Sequence, residues 1–352
     1  MFITGIGTAA PRQRYKQSEG WEAVQQAPQF AQLTSRSKAI LRKVLTGNNG
    51  VETRHLALDS LHEAFEINPD ILQQRFAQHA PRLAAEAAEE ALKNSQTNRR
   101  EIDAIIISTC TGYICPGLTS YVCELLGLRQ DVFALDLVGQ GCGAALPNMR
   151  TGEALLAAGR SRRMLSICVE VCSAAMYLDN DPGVLVSACL FGDGAGAAVL
   201  SNEPGAQARR IEWKACSTML VAKDREFLRF ESRNGLLRNV LRPEVPKMAA
   251  EHADKLLKDA LAQAGVTRDQ IKNWIWHAGG RDVLLALQEK MNLSPGDTRW
   301  SAEVLREYGN MSSPCVYFAL QNALAENAPG GLWWMCSFGA GFSCHGALLE
   351  VS

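Results

Sequence analysis

The sequence carries no surplus of charge. Its 36 basic and 37 acidic residues leave a formal net charge of −1, which gives no electrostatic footprint for nucleic acid or an anionic membrane. It also lacks any apolar run approaching the roughly 20 residues of a membrane-spanning helix. Its opening, MFITGIGTAAPRQRY, has no basic segment followed by a long apolar stretch, so no signal peptide is expected and the chain reads as cytoplasmic. A tight Cys-x-x-Cys pair is missing too. The spacings among Cys110, Cys115 and Cys123, and between Cys168 and Cys172, do not suit a structural zinc site, and no metal is expected.

The cysteines themselves are plentiful, eleven in all. Most lie in apolar, strand-like settings: Cys168 and Cys172 in MLSICVEVCS, Cys189 in SACLFGDG, Cys336 in LWWMCSFG. They read as small buried hydrophobes rather than a disulfide framework, because nothing suggests export and the chain is long enough to bury a core. With 352 residues, 47% of them hydrophobic, it has room for two domains or one large duplicated one.

A duplication is written in the chain. Leu83–Thr109 (LAAEAAEEALKNSQTNRREIDAIIIST) and Glu251–Ala278 (EHADKLLKDALAQAGVTRDQIKNWIWHA) each read as an amphipathic helix, a polar turn and an apolar strand. Superposing them pairs Ala91-Leu92 with Ala260-Leu261, Ile102 with Ile271, and Ser108 with His277. At almost the same offset Gly141-Cys142 falls on Gly309-Asn310, and the strand Met164–Val169 falls on Leu332–Phe338. Apolar strands rich in Ile, Val and Trp are expected to be buried on both faces of a sheet. The expectation is two similar α/β halves about a pseudo-twofold axis, 1–203 and 204–352, with the boundary at the polar turn Ser201-Asn202-Glu203-Pro204-Gly205.

Cys142 lies between glycines in VGQGCGAAL, after a strand-like Val132–Leu137 and ahead of helical spacing from Met149 to Gly159. A thiol at a helix start faces unpaired N–H groups and the positive end of the dipole, both of which favour thiolate. It is the candidate covalent acyl carrier. His277 ends the strand Trp274-Ile275-Trp276 and precedes Gly279-Gly280, where a substrate can come close to the backbone. Asn310, in YGNMSS, is the duplicate of Cys142 and reads as a helix N-cap as well as a functional amide. The three are expected to converge in one cavity. The remaining histidines (His55, His62, His79, His252, His345) read as polar, helical-surface or C-terminal residues without chemistry, and the arginines near His62 and His79 as solvated. Phe191-Gly192-Asp193-Gly194 reads as a tight turn, because an apolar strand follows it and no helix does; Ser337–Phe342 mirrors it and is expected to wall the cavity.

Together, QGCGAAL, WHAGG, YGNMSS and SFGAGF resemble the type III polyketide synthases, the chalcone and stilbene synthase group, and among them the bacterial members. The resemblance covers the whole chain and implies the five-layered αβαβα thiolase-like fold, usually a homodimer. Ala278 and Ala340 stand where the family usually has proline. The segment Cys172–Phe191 is shorter than in the plant enzymes, and Tyr177 is the expected counterpart of the family's gating aromatic.

The resemblance also implies a chemistry. Cys142 takes an acyl-CoA starter, and His277 beside it stabilises a thiolate–imidazolium pair. Malonyl-CoA loses carbon dioxide, and His277 with Asn310 holds the enolate oxygen. The enolate then extends the acyl chain, with no cofactor beyond the CoA thioesters, toward a pyrone or phenolic product. Arg54 corresponds to a cationic residue for CoA phosphates, or else is a surface arginine. Gly279 and Gly280 border the pantetheine tunnel. Cys115 reaches into the partner's cavity, and Thr109, Cys110, Thr111, Ser312 and Phe338 line the cavity. The alternative is a single-round β-ketoacyl synthase that depends on an acyl carrier protein and shares the Cys, His and Asn. A papain-like hydrolase and a non-catalytic acyl-binding relative fit the motifs less well.

Overall fold

Strand β1 (Phe2–Ala9), the short β2 (Arg14–Lys16), helices α1 (Gln17–Gln26) and α2 (Ser35–Thr46), and β3 (Thr53–His55) open the chain. The long α3 (Pro69–Ser95) leads to β4 (Ala104–Thr109), α4 (Leu118–Leu126), β5 (Phe133–Val138), α5 (Ala145–Ala157) and β6 (Arg163–Glu170). Helix α6 (Pro182–Leu190) and β7 (Gly194–Ser201) follow. Then come β8 (Ile211–Leu220), the hairpin β9 (Leu228–Arg233) and β10 (Leu236–Leu241), α7 (Val245–Ala264) and β11 (Ile271–Trp276). Helices α8 (Arg281–Met291), α9 (Arg299–Tyr308) and α10 (Cys315–Ala325) precede the final strands β12 (Gly331–Gly339) and β13 (Ser343–Val351). The structure, a computed structural model, describes residues 1–205 and 209–352.

The main sheet runs β11-β12-β13-β8-β1-β7-β6-β4-β5. It is two copies of one pattern joined through a short antiparallel pairing of Phe2 and Ile3 with Glu212 and Ile211. In the first copy β1 pairs antiparallel with β7, β7 antiparallel with β6, and β6 parallel with β4. In the second, β8, β13, β12 and β11 repeat those senses in that order. Among the described residues only the first copy adds a fifth strand, β5, which lies parallel to β4 at the sheet's end.

Local chemistry makes the copies alike. Helix α3 is capped by Asn68, whose side chain accepts from the Asp70 N–H, with Pro69 at the first position. It ends in the left-handed Gln96, and a reciprocal Asn98–Glu101 capping turn delivers the chain to β4. Helix α7 ends at the left-handed Gly265, and the Thr267–Gln270 turn delivers it to β11. Strand β4, AIIIST, is buried throughout, as a strand with parallel neighbours and covered faces must be.

Helix α3 covers one face of β1, β6 and β7, and α7 covers β8 and β13. Helices α5 and α10 lie between the two halves of this sheet, touching strands of both. The layers are therefore helix, sheet, helix pair, sheet, helix, as expected. Helix α5 begins at Ala145, a turn earlier than its periodicity from Met149 suggests, so Cys142 lies in the 3-10 turn Gly141–Gly143 immediately before it. The N-termini of α5 and α10 are thus the two equivalent points at the centre of the molecule.

Candidate active site

Cys142 is buried, and its Sγ accepts a hydrogen bond from Ser312 Oγ at 3.1 Å. Burial pushes the thiol up to about 12; the Ser312 bond opposes this, and the charge on Glu170 adds to it. Desolvation thus works against the expected thiolate. The dipole at a helix start is worth about 0.3–1 kcal/mol, which desolvation of a fully enclosed sulfur outweighs.

Ser312 belongs to the loop that ends in Pro314 before α10 and has a left-handed φ of 61°. Asn310 holds it: Asn310 Oδ1 accepts from the Ser312 N–H at 2.8 Å. That is a turn within the loop rather than the expected helix cap, since α10 starts only at Cys315. The Asn310 Nδ2 donates to the Gly279 carbonyl at 3.1 Å. The backbone of Asn310 is pinned on both sides, its N–H on Leu190 O and its carbonyl accepting from Gly192 N–H. Gly309, before it, has a φ of 72°, and a Cβ there would come within 2.6 Å of Leu190 O.

His277 follows β11, its N–H bonded to Cys336 O at 2.8 Å and its carbonyl accepting from Gly279 N–H at 2.9 Å. Its ring meets the Phe338 ring edge-on at 5.7 Å. Enclosure pulls the imidazole down to about 4, so it is neutral, and its Nδ1 has no hydrogen-bond partner. Enclosure works against charge on both the sulfur and the ring. A Cβ on Gly279 would lie 3.3 Å from Cδ2 and Nε2 of this ring, so the glycine keeps the ring edge open. Gly280 has a φ of 154° and starts α8.

Glu170, at the end of β6, is the residue that the sequence reading missed. It is fully buried, with no cation within ion-pair distance among the described residues. Its Oε1 accepts from Ser313 Oγ (2.7 Å) and Cys110 Sγ (3.3 Å) and lies 3.2 Å from Ser312 Oγ, whose single hydrogen it shares with Cys142 Sγ. Its Oε2 accepts from Cys110 N–H and Thr111 Oγ1 (both 2.9 Å) and Thr109 Oγ1 (3.2 Å). Thr109, Cys110, Thr111 and Ser312 are thus gathered around this carboxylate. Burial raises its pKa while these bonds lower it. The one signal in the chain was a lone acid closing the apolar run MLSICVE.

A small cavity adjoins the cluster, and Cys110, Thr111, Cys172 and Ser312 are among its lining residues. Its aromatic walls are Phe191 and Phe230. Tyr177 is buried elsewhere and does not line it, so the expected gating position is corrected.

Arg54 does not fit either of its expected places. It is buried, and its Nη1 donates to Ala188 O (2.7 Å) and Phe191 O (3.1 Å), carbonyls at the end of α6. A cation there offsets the negative helix terminus but cannot reach a phosphate in solvent. Arg75 near His79 is also buried, bonded to Ser173 O and Glu63 O. His345 is buried against Thr218, not exposed. Cys115 is exposed and apart from the cluster. The remaining strand-like cysteines are buried as expected, and all eleven are unpaired. Asp193 of the FGDG turn accepts from Ala57 N–H, Ser173 N–H and Ser173 Oγ, which locks that turn in the core. Among the described residues no His/Cys/Asp/Glu cluster is arranged to hold a metal, and no helix is long and apolar enough to cross a membrane.

Residues 10–227 match the family described as FAE1/Type III polyketide synthase-like protein, and residues 216–350 match the chalcone and stilbene synthases, C-terminal domain. The chain is 28% identical to a 3,5-dihydroxyphenylacetyl-CoA synthase of Streptomyces toyocaensis, covering 99% of this chain and 89% of that protein. It is 26% identical to a protein of the same name from Amycolatopsis orientalis, covering 99% and 93%. Among solved structures, PKS-I of the brown alga Ectocarpus siliculosus superposes with a TM-score of 0.90 at 24% identity, covering 99% and 97%. The 1,3,6,8-tetrahydroxynaphthalene synthase of Streptomyces coelicolor A3(2) gives 0.87 at 22%, covering 99% of each chain. These last two show the fold, which is thiolase-like.

Proposed function

The chain belongs to the type III polyketide synthase family, and we propose that Cys142, His277 and Asn310 are the residues through which it works. The enzyme is a decarboxylating acyltransferase: an acyl-CoA starter is loaded on Cys142 and extended with malonyl-CoA, with no cofactor beyond the two CoA substrates. The observation that carries this reading is the continuous set of contacts from Cys142 through Ser312 and Asn310 to Gly279, beside His277.

The geometry supports a division of labour. A carboxamide nitrogen has two hydrogens. One of Asn310's is spent on Gly279 O, which leaves the other to aim at a thioester oxygen. A neutral imidazole supplies the second donor, and neutrality matters because an imidazolium would trap the enolate by full proton transfer. The enolate left by carbon dioxide attacks the acyl thioester, Cys142 leaves, and the chain grows by two carbons. Folding of the extended chain to a pyrone or phenolic product would take place in the cavity walled by Phe191 and Phe230. Gly279 and Gly280 border the pantetheine arm. With Arg54 buried, the CoA phosphates are assigned to exposed Arg42, Lys43 and Arg281; the Arg281 guanidinium also bonds Asn48 O beyond the end of α2.

Residues 1–203 and 204–352 act as duplicated halves, a reading supported by the repeated strand order. A homodimer is supported by the free edge of β5, where Phe133 and Val138 are 50% and 55% exposed, and by Tyr113 beside Cys115, 72% exposed. Cys115 would then enter the partner's cavity. CoA thioesters as substrates place the work in the cytoplasm.

The test is incubation with malonyl-CoA and a panel of acyl-CoA starters, with and without acyl carrier protein, read by product mass. Extended products from free CoA thioesters are expected. Products formed only with carrier protein would replace this reading with the single-round ketosynthase.

A further inference from the structure

The hairpin of β9 and β10 closes one side of the small cavity, and it brings there a polar side chain that the condensation chemistry does not use. We propose that Asn239 is a specificity-determining residue whose amide oxygen accepts a hydrogen bond from a hydroxyl on the acyl group. The enzyme then selects starters with an apolar body and a hydroxyl over their deoxy counterparts; this rests on an acyl-CoA starter being loaded and extended as described above.

Asn239 is only 5% exposed and lies directly opposite Phe230 in the hairpin register, and both line the cavity. Its Nδ2 donates to Ser187 Oγ of α6 at 2.8 Å. The hydrogen of Ser187 is committed to Gly183 O at 2.7 Å, so toward Asn239 the serine can only accept. The amide is therefore fixed one way round, with its nitrogen on Ser187. Its Oδ1 is enclosed and has no hydrogen-bond partner among the described residues. The hairpin that carries it is anchored as well. Arg238 pairs with Glu231 at 2.8 Å and with Asp181, whose side chain caps the start of α6.

A buried amide oxygen without a donor is costly, and the wall around it has little to offer. Cys110 Sγ and Thr111 Oγ1 donate to Glu170, at 3.3 and 2.9 Å, and Ser312 shares its hydrogen between Cys142 Sγ and Glu170 Oε1. Apart from the weakly donating thiol of Cys172 and the second amide hydrogen of Asn239 itself, the polar side chains lining the cavity have no hydrogen left. A hydrocarbon end or a ketone of the acyl group would leave Oδ1 unpaired. A hydroxyl supplies the missing donor, while Phe191, Phe230 and Met176 cover the carbon body.

The experiment is a competition between matched CoA thioesters. Phenylacetyl-CoA is set against its 3-hydroxy and 4-hydroxy derivatives, and hexanoyl-CoA against 6-hydroxyhexanoyl-CoA, each with malonyl-CoA and with extended products counted by mass. Both starters meet the same enzyme molecules, so the product ratio does not depend on how much of the protein is folded. The parent is expected to favour a hydroxylated starter about 10- to 100-fold. Asn239→Leu, similar in volume but without an acceptor, should lose or invert that preference. A parent that favours no hydroxylated starter, or an Asn239→Leu variant that keeps the parent's ratio, overturns the proposal. Should Asn239→Leu fail to fold, Ser187→Ala frees the amide to turn and must lower the ratio; an unchanged ratio there also overturns it. No extended product from any CoA thioester refutes the synthase reading itself, so the two failures are told apart.

Discussion

Replacing Asn310 with alanine separates what the amide does for chemistry from what it does for the fold. The side chain makes two bonds: Nδ2 to Gly279 O at 3.1 Å, and Oδ1 from Ser312 N–H at 2.8 Å. Removing the oxygen leaves the N–H of buried Ser312 unpaired, which costs about 1–3 kcal/mol of stability. Removing the nitrogen deletes one of two donors to the enolate oxygen, worth about 3–4 kcal/mol in the transition state, or on the order of 100–1,000-fold in rate. Asn310→Asp keeps an acceptor for Ser312 N–H but turns a carboxylate oxygen toward Gly279 O. The oxygen–oxygen contact offsets the recovered Ser312 bond, so this variant should stay slow without regaining the parent's stability. The assay is carbon dioxide release from malonyl-CoA on protein whose Cys142 has been alkylated, which isolates decarboxylation from loading, alongside urea unfolding. Decarboxylation by Asn310→Ala within a few-fold of the parent would refute the assignment of this amide.

Other consequences follow from the same geometry. His277 and His345 titrate near 4 when folded against 6.5 in the unfolded chain, so below 6.5 the unfolded state binds more protons. Stability is whole above pH 6.5 and falls as pH drops toward 4, by on the order of 3 kcal/mol per ring; urea unfolding near neutrality and in mild acid should show this, and His345→Gln should remove about half of the slope. Gly309→Ala adds a Cβ 2.6 Å from Leu190 O at a φ of 72°. The strained backbone costs about 1–3 kcal/mol and shifts Asn310, so kcat should fall more than KM rises; unaltered kinetics would contradict this. Charges at the β5 edge, Phe133→Glu with Val138→Lys, should convert a dimer to monomer by sedimentation, and an unchanged sedimentation coefficient would remove that interface from the account.

What the chain revealed by itself depended on pattern. The repeat from Leu83 to Thr109 and from Glu251 to Ala278 is visible because amphipathic spacing and capping turns are local, and it predicted the doubled strand order. Cys142, Asn310 and His277 stood out because the duplication and adjacent glycines mark them. Properties set by enclosure were illegible. Glu170 looks like any strand-ending acid until six polar groups from two segments converge on it. The burial of Arg54 and His345 was not legible because polarity alone does not reveal what covers a side chain. Phe191 and Phe230 meet at one cavity from the end of α6 and from a distant hairpin, a juxtaposition that sequence spacing does not record. The state of the Cys142 thiol turned on desolvation, which no motif records.

The most direct test of the central claim is the site of the acyl-enzyme. The protein incubated with an acyl-CoA starter and no malonyl-CoA should gain one acyl mass, and peptide mapping should place it on Cys142, with Cys142→Ala gaining none. An acyl group mapped to Cys110 or any other thiol, or equal acylation of Cys142→Ala, would contradict the account.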